Sequence, residues 1–269
     1  MPVRGRLSRV FAVAALALGA GLAAEAPAAG FSLDSASVKP RKAFFDAPGE
    51  VAIRFRFSAP GPSDVSVRIA GAGAGEVRRY ELGQLDPGQR HVVRWDGLTS
   101  TRRAAPDGHY RVLVGPTGAE LATAGRLRLI GHHHPIRGPH GGRGGVGEFG
   151  AARNGGRIHQ GFDATARCGT PLVAARGGTV VRRRFHPSLD GHYVVISGRK
   201  EGLTYRYSHL TRPAEVAKGD RVFTGQVLGY VGRTGNAAST PCHLHFELRT
   251  KGGRLLDPEP FLRAWDRHS

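Results

Sequence analysis

The sequence predicts an all-β protein. Apolar residues recur with a period of two over short stretches, and glycine and proline interrupt those stretches at short intervals. A helical period of useful length is confined to Pro260–Arg267. With 40 glycines and 17 prolines in 269 residues, turn formers are frequent enough to end strands every few positions. Side chains of a strand face opposite sides in turn, so each alternating stretch should bury one face and solvate the other.

Residues 1–28 read as an export signal. Arg4, Arg6 and Arg9 supply a basic n-region, Val10–Ala24 is apolar, and Ala26 and Ala28 offer a cleavage site after Ala28. Cleavage after Ala26 is disfavoured because Pro27 would follow. The apolar run is shorter than the ~20 residues a spanning helix needs, so no transmembrane segment is expected after signal removal. The mature chain is therefore expected to be secreted or held in the cell envelope.

Residues 31–126 should form a small β domain. Val51, Ile53, Phe55 and Phe57 alternate with Ala52, Arg54, Arg56 and Ser58, and Val65–Ile69, His91–Trp95 and His109–Val114 read likewise. Turn signals separate them at Ala59–Ser63, Asp86–Gly88 and Pro106–Gly108, a spacing that fits a sandwich. The passage from Trp95-Asp96-Gly97 to Pro106-Asp107-Gly108-His109-Tyr110 resembles bacterial immunoglobulin-like modules such as that of flagellar hook-capping proteins. Residues 127–158 read as a connector and the entry to a second domain, 159–269. His132, His133, His134 and His140 lie in this connector and read as part of a polar loop, with no neighbouring carboxylate in sequence to complete a metal site. Beyond Gly169 the chain returns to glycine-punctuated strands, among them Gly178–Val181, His192–Ser197 and Leu203–Ser208.

Two stretches of the second domain carry chemistry. In Cys242-His243-Leu244-His245-Phe246-Glu247-Leu248, alternation puts His243, His245 and Glu247 on one face and Leu244, Phe246 and Leu248 in the core. Upstream, His159-Gln160-Gly161-Phe162-Asp163 holds a histidine and a carboxylate four residues apart. Nitrogen and oxygen donors of this kind suit Zn²⁺, and His159, Asp163 and one histidine of the strand pair give three protein ligands with a fourth position open. Either motif alone is weak, since paired surface histidines on a half-buried strand are commonplace. Together, in this order, they point to a catalytic metal site.

These residues resemble the lysostaphin- and LytM-like zinc endopeptidases that cut peptide cross-links in bacterial peptidoglycan. The likeness begins near Pro135 and runs to Leu262. It includes Phe149-Gly150, His159–Asp163, Cys168–Leu172, Tyr207–Leu210, Lys218–Val222 and Gly232–Glu247. It implies a LytM-like antiparallel β-sheet metallopeptidase domain behind the immunoglobulin-like sandwich, with Zn²⁺ on His159, Asp163 and His245 and with His209 and His243 as catalytic histidines. All five positions are filled. The function implied is zinc-dependent hydrolysis of peptidoglycan cross-links, in wall remodelling or lysis. The alternative is a non-enzymatic wall-binding protein or activator of other hydrolases, a role associated with relatives lacking part of the five-residue set. Segments such as Val216–Gly229 also resemble biotinyl and lipoyl carrier hairpins, but those present a lysine usually flanked by methionine, and the one methionine here is Met1.

Charge and cysteines narrow the setting. Loss of three arginines and Glu25 with the signal takes the formal charge from +18 to +16. In an exported chain, such a surface should meet anionic wall polymers rather than nucleic acid, for which no motif is present. Two cysteines in an exported protein favour a disulfide. Cys168 follows Asp163 and Cys242 precedes His243, so a shared metal draws both toward one rim. Alternation turns Cys242 away from the histidine face.

Overall fold

The alternation read from the sequence becomes two facing sheets at the N-terminal end of the computed structural model, which describes residues 30–71, 75–267 and 269. The expected export signal and His268 lie outside the described residues. The strands are β1 (Ser32–Lys39), β2 (Lys42–Phe44), β3 (Val51–Ser58), β4 (Ser63–Gly71), β5 (Gly75–Leu85), β6 (His91–Trp95), β7 (Gly108–Pro116) and β8 (Ala122–Ile130). One sheet has the order β1-β3-β6 and the other β2-β8-β7-β4-β5, with β2 parallel to β8. In β3, Ile53, Phe55 and Phe57 are buried while Arg54, Arg56 and Ser58 are exposed, as a period of two requires. Their side chains share one core with Val65, Val67 and Ile69 of β4 and Val112 and Val114 of β7. Trp95 is fully buried and its indole N–H donates to the Leu98 carbonyl at 2.8 Å, so no polar atom is stranded.

The second part contains β9 (Gly141–Gly142), β10 (Ala152–Arg153), β11 (Arg157–Ile158), β12 (Phe162–Thr165), β13 (Pro171–Val173) and β14 (Gly178–His186). It continues with β15 (Gly191–Gly198), β16 (Leu203–Leu210), β17 (Arg221–Val222), β18 (Val227–Tyr230), β19 (His243–Thr250), β20 (Leu255–Leu256) and helix α1 (Glu259–Asp266). The main sheet is antiparallel with the order β17-β14-β15-β16-β19-β12-β9, and β20 adds to β19. Strands β10 and β11 form a separate hairpin, and β13 pairs with β18. One face of the sheet packs Val194, Ile196, Tyr205, Tyr207, Leu244 and Phe246 into a second core capped by Leu262 and Trp265 of α1. Cys168 and Cys242 are joined, with Cα atoms 5.3 Å apart, and the bond ties the chain beyond β12 to the start of β19.

The connector differs from the expected polar loop. Its backbone is built into the second part: His133 N–H donates to Ala175 O at 3.0 Å, Val173 N–H to Pro135 O at 2.8 Å and Arg137 N–H to Pro171 O at 2.9 Å. His133 and His134 are consequently buried. His132 meets two carboxylates brought from far away in sequence, Asp107 on Nδ1 at 2.8 Å and Glu201 on Nε2 at 2.9 Å, and lies parallel to Trp265 at 5.1 Å. Nearby, the buried Arg176 guanidinium stacks on Phe45 at 3.7 Å and donates to Gly131 O at 2.9 Å. Asp46 accepts from Arg221 at 2.6 Å and also from Arg199. These polar contacts fasten the two parts along the connector.

Candidate metal centre and catalytic cleft

The register between β12 and β19 assembles the centre. Asp163 stands directly opposite His245, and Thr165 opposite His243. His159 reaches the same point from the turn ahead of β12. Gly161 allows the approach, because a Cβ there would run into the main-chain carbonyl of Phe246. Along β19 the alternation holds: Leu244, Phe246 and Leu248 are fully buried in the core, while His243, His245 and Glu247 line a cleft of about 380 Å³ on the opposite face.

Three donor atoms converge. His159 Nε2 lies 2.8 Å from His245 Nδ1, and Asp163 Oδ1 lies 3.0 Å from each of these nitrogens. A tetrahedral ion with bonds of about 2.0–2.1 Å sets its ligand atoms roughly 3.3 Å apart, so the triangle needs to open by only a few tenths of an ångström. The tautomers favour a cation as well. His159 Nδ1–H donates to Glu148 O at 2.8 Å, and His245 Nε2–H donates to Glu247 Oε1 at 3.2 Å. Each ring therefore turns a bare nitrogen toward the other and toward the carboxylate. Two lone pairs and an anionic oxygen at such distances require a positive charge among them. Burial disfavours charge on His245, but Asp163 and Glu247 outweigh it and push its pKa up to about 9, the demand expressed as affinity for a proton. Burial likewise opposes ionisation of Asp163, yet hydrogen bonds from His159 and His245 hold its carboxyl far below the usual carboxylate range.

His209 and His243 stand beside the triangle, with ring centroids 5.0 Å apart and His209 5.9 Å from His245. His209 Nδ1–H donates to Thr234 O and His243 Nδ1–H to Pro241 O, both at 2.9 Å, leaving each Nε2 bare. Burial, followed by the neighbouring His245 and His243, pushes the His209 pKa down to about 3, and burial also lowers that of His243. Both rings are neutral near pH 7 and available to accept protons.

The sequence pattern alone does not aim His209. Tyr205 and Tyr207 are fully buried in the core, so strict alternation would send residue 209 there too. Instead, pairing of β16 with β15 shifts register between His192 and Val194, and His209 adopts φ 65°. This bulge reverses the phase of the strand and delivers the imidazole to the cleft, while Leu210 returns to the core. Such a backbone conformation is costly for a residue with a Cβ and concentrates at functional sites.

Several further residues shape the site. Glu247, placed on the histidine face by the sequence, is buried and accepts from His245 Nε2 and from Arg249 Nη2, the latter at 2.8 Å. Arg143 lies 3.2 Å from Asp163 Oδ2 and occupies the carboxylate oxygen that faces away from His159 and His245. Asp190 holds Ser208 at 3.0 Å and Arg206 at 3.1 Å on the far wall. Arg143 and Asp190 have no signal in sequence beyond being charged. Their partners are identified by the sheet.

Residues 157–258 match the sequence pattern described as Peptidase family M23. Over 96 residues, 35% of this chain, the protein is 43% identical to peptidoglycan DD-endopeptidase ShyA of Vibrio cholerae, covering 21% of that relative. Over 122 residues, 42% of this chain, it is 36% identical to the L-Ala–D-Glu endopeptidase of Bacillus subtilis, covering 36% of it. The chain thus spans about a fifth to a third of the length of the curated relatives it matches. Among solved structures, the catalytic domain of lysostaphin from Staphylococcus simulans superposes with a TM-score of 0.40 at 30% identity, over 46% of this chain and 92% of that one. The segment that carries His159, Asp163, His209, His243 and His245 thus matches peptidase family M23, and the relatives it resembles include lysostaphin.

Proposed function

We propose that this protein is an exported, zinc-dependent endopeptidase that hydrolyses peptide cross-links of bacterial peptidoglycan, in wall remodelling or lysis. The observation that carries the reading is the triangle of His159 Nε2, Asp163 Oδ1 and His245 Nδ1, flanked by two neutral histidines with bare Nε2 atoms. In this reading His159, Asp163 and His245 hold the ion. A bound Zn²⁺ supplies a Lewis acid for the scissile carbonyl and lowers the pKa of water toward ~7. Of His209 and His243, one would accept a proton from the attacking water on its bare Nε2, and the proton held there would then pass to the leaving amine. Their Nδ1–H bonds to main-chain carbonyls fix the ring orientation, and their lowered pKa values keep them unprotonated before reaction. Glu247 and the Glu148 carbonyl keep the ligand rings in the metal-binding tautomer.

Relatives named as peptidoglycan DD-endopeptidases support the substrate class, and the complete five-residue set favours hydrolysis over a non-enzymatic wall-binding or activating role. Export is supported by the Cys168–Cys242 bond, which suits an oxidising compartment. No helix among the described residues is long and apolar enough to cross a membrane. We read residues 31–126 as an immunoglobulin-like sandwich, 127–158 as the connector and 159–269 as the peptidase domain. The basic surface of the whole is suited to anionic wall polymers.

Metal analysis and digestion of purified peptidoglycan of several cross-link types, with products identified by mass spectrometry, test the reading. Wild-type protein should hold one zinc and release cross-link peptides, and His159→Ala and His245→Ala should lose most of the metal and the hydrolysis. Full zinc occupancy in either variant would refute the ligand set. Zinc-loaded wild type that binds the wall without cutting it would favour the non-enzymatic alternative.

A further inference from the structure

We propose that Arg153 and Arg157 form a carboxylate-binding subsite on the cleft wall, which makes the preferred substrate a peptide with free carboxylates near the scissile bond rather than an uncharged bridge. The inference rests on the peptidase reading above and specifies its substrate class. The two arginines face each other directly across the β10–β11 hairpin, and both line the cleft immediately ahead of His159. Like charges at directly opposed positions of an antiparallel pair repel and destabilise the hairpin unless an anion lies between them.

None of the cleft's own acids fills that role. Asp163 is engaged by His159, His245 and Arg143, Asp190 by Ser208 and Arg206, and Glu247 by His245, Arg249 and Arg206. Among the described residues, the hydrogen-bond partners of the two arginines are main-chain carbonyls: Val146 O at 2.6 Å and Ala152 O at 3.2 Å for Arg153, and Asn154 O at 3.2 Å for Arg157. Those bonds hold the stems in place but leave both charges uncompensated and the remaining N–H groups of each fork open. A guanidinium fork matches a carboxylate in two parallel hydrogen bonds, so a substrate carboxylate seated here would gain both charge and orientation. Its position next to a metal-ligand residue means that the anchored group fixes the register of the peptide over the reacting centre.

The test compares a synthetic cross-linked stem peptide bearing free carboxylates with the same peptide after conversion of every carboxylate to carboxamide. For zinc-loaded wild type, kcat/KM should favour the carboxylate form by about tenfold to hundredfold, the worth of one charge-assisted contact. In Arg153→Gln/Arg157→Gln protein of normal zinc content and thermal stability, that preference should collapse to near unity. Equal cleavage of both peptides by wild type, or a preference that survives in the double variant, overturns the subsite and leaves the peptidase reading standing. Calorimetric binding of both peptides to His243→Ala separates the two failures. Carboxylate-dependent binding without any wild-type turnover upholds the subsite and overturns the peptidase, and absence of both overturns both.

Discussion

Replacing Glu247 by glutamine should weaken zinc binding without unfolding the site. The carboxylate is 4% exposed and accepts from His245 Nε2 at 3.2 Å, from Arg249 Nε at 3.0 Å and from Arg249 Nη2 at 2.8 Å. Burial opposes its ionisation, but the His245 hydrogen bond and charge bring its pKa down to about 2, so it is an anion near neutral pH. Glutamine preserves the shape and one acceptor oxygen but removes the charge that holds the His245 proton on Nε2 and its lone pair on Nδ1. Loss of such an orienting partner typically costs ~10–100-fold in metal affinity, equivalent to about 1.4–2.8 kcal/mol. The ion pair with the half-exposed Arg249 adds little to stability, because solvent screens it. Unfolding of the variant should therefore stay cooperative, with a modest drop in Tm. Competition against a chromogenic chelator gives the zinc Kd directly. A folded Glu247→Gln protein that binds zinc within about twofold of wild type would show that His245 needs no such partner.

His209→Ala and His243→Ala should keep their zinc and lose at least ~10²-fold in kcat, since they act on protons; metal loss as severe as in His245→Ala would reassign either one as a ligand. Reduction of the Cys168–Cys242 bond, or a double Cys→Ser change, should lower stability by up to ~4 kcal/mol for its separation of 74 residues, with activity persisting in molecules that stay folded. Two free thiols on titration of the denatured exported protein would contradict the bond. At the connector, burial opposes charge on His132, but hydrogen bonds to Asp107 and Glu201 raise its pKa above the ordinary value. Its stabilising contribution is thus complete below the unfolded value of about 6.5 and fades as pH rises through the folded one. The Tm deficit of His132→Gln relative to wild type should be largest on the acid side of that window and shrink above it; a deficit independent of pH would mean that His132 is never charged.

Where strands keep a strict period of two, the sequence is a direct record of the structure. β19 shows this best: one imidazole position decides the others, and the core face and the cleft face of His243–Leu248 follow from alternation alone. The proximity of Cys168 to Cys242 follows from the same strand once Asp163 and His245 share a point. Less was readable wherever partners arrive from distant strands. The connector histidines look solvated in sequence because Asp107 and Glu201 are 25 and 69 residues from His132, and only the packing of β7, β15 and α1 around the connector brings them together. Arg153 and Arg157 look like two arginines of a basic chain until the glycine turn between them pairs their strands and sets them opposite each other.

His209 shows why alternation was insufficient at the point where the chemistry needs it. A strand fully committed to period two offers the cleft face only one residue in two, and on β16 those residues are Arg206 and Ser208, opposite Glu247 and His245 of β19, with the tyrosines in the core. A cleft-facing histidine next to Ser208 requires a phase change, and an extra residue opposite Tyr193 supplies it. The cost is a left-handed backbone at a non-glycine residue, and the compensation is local. His209 N–H donates to Asp190 O at 2.8 Å, its ring donates to Thr234 O, and the Thr234 hydroxyl donates to Leu210 O at 2.7 Å, so the β14–β15 turn and the loop before the disulfide hold the bulge between them. The strain is confined to one residue between two rigid strands. The imidazole is thereby fixed relative to His243 of β19, at a ring separation of 5.0 Å that the sheet itself sets.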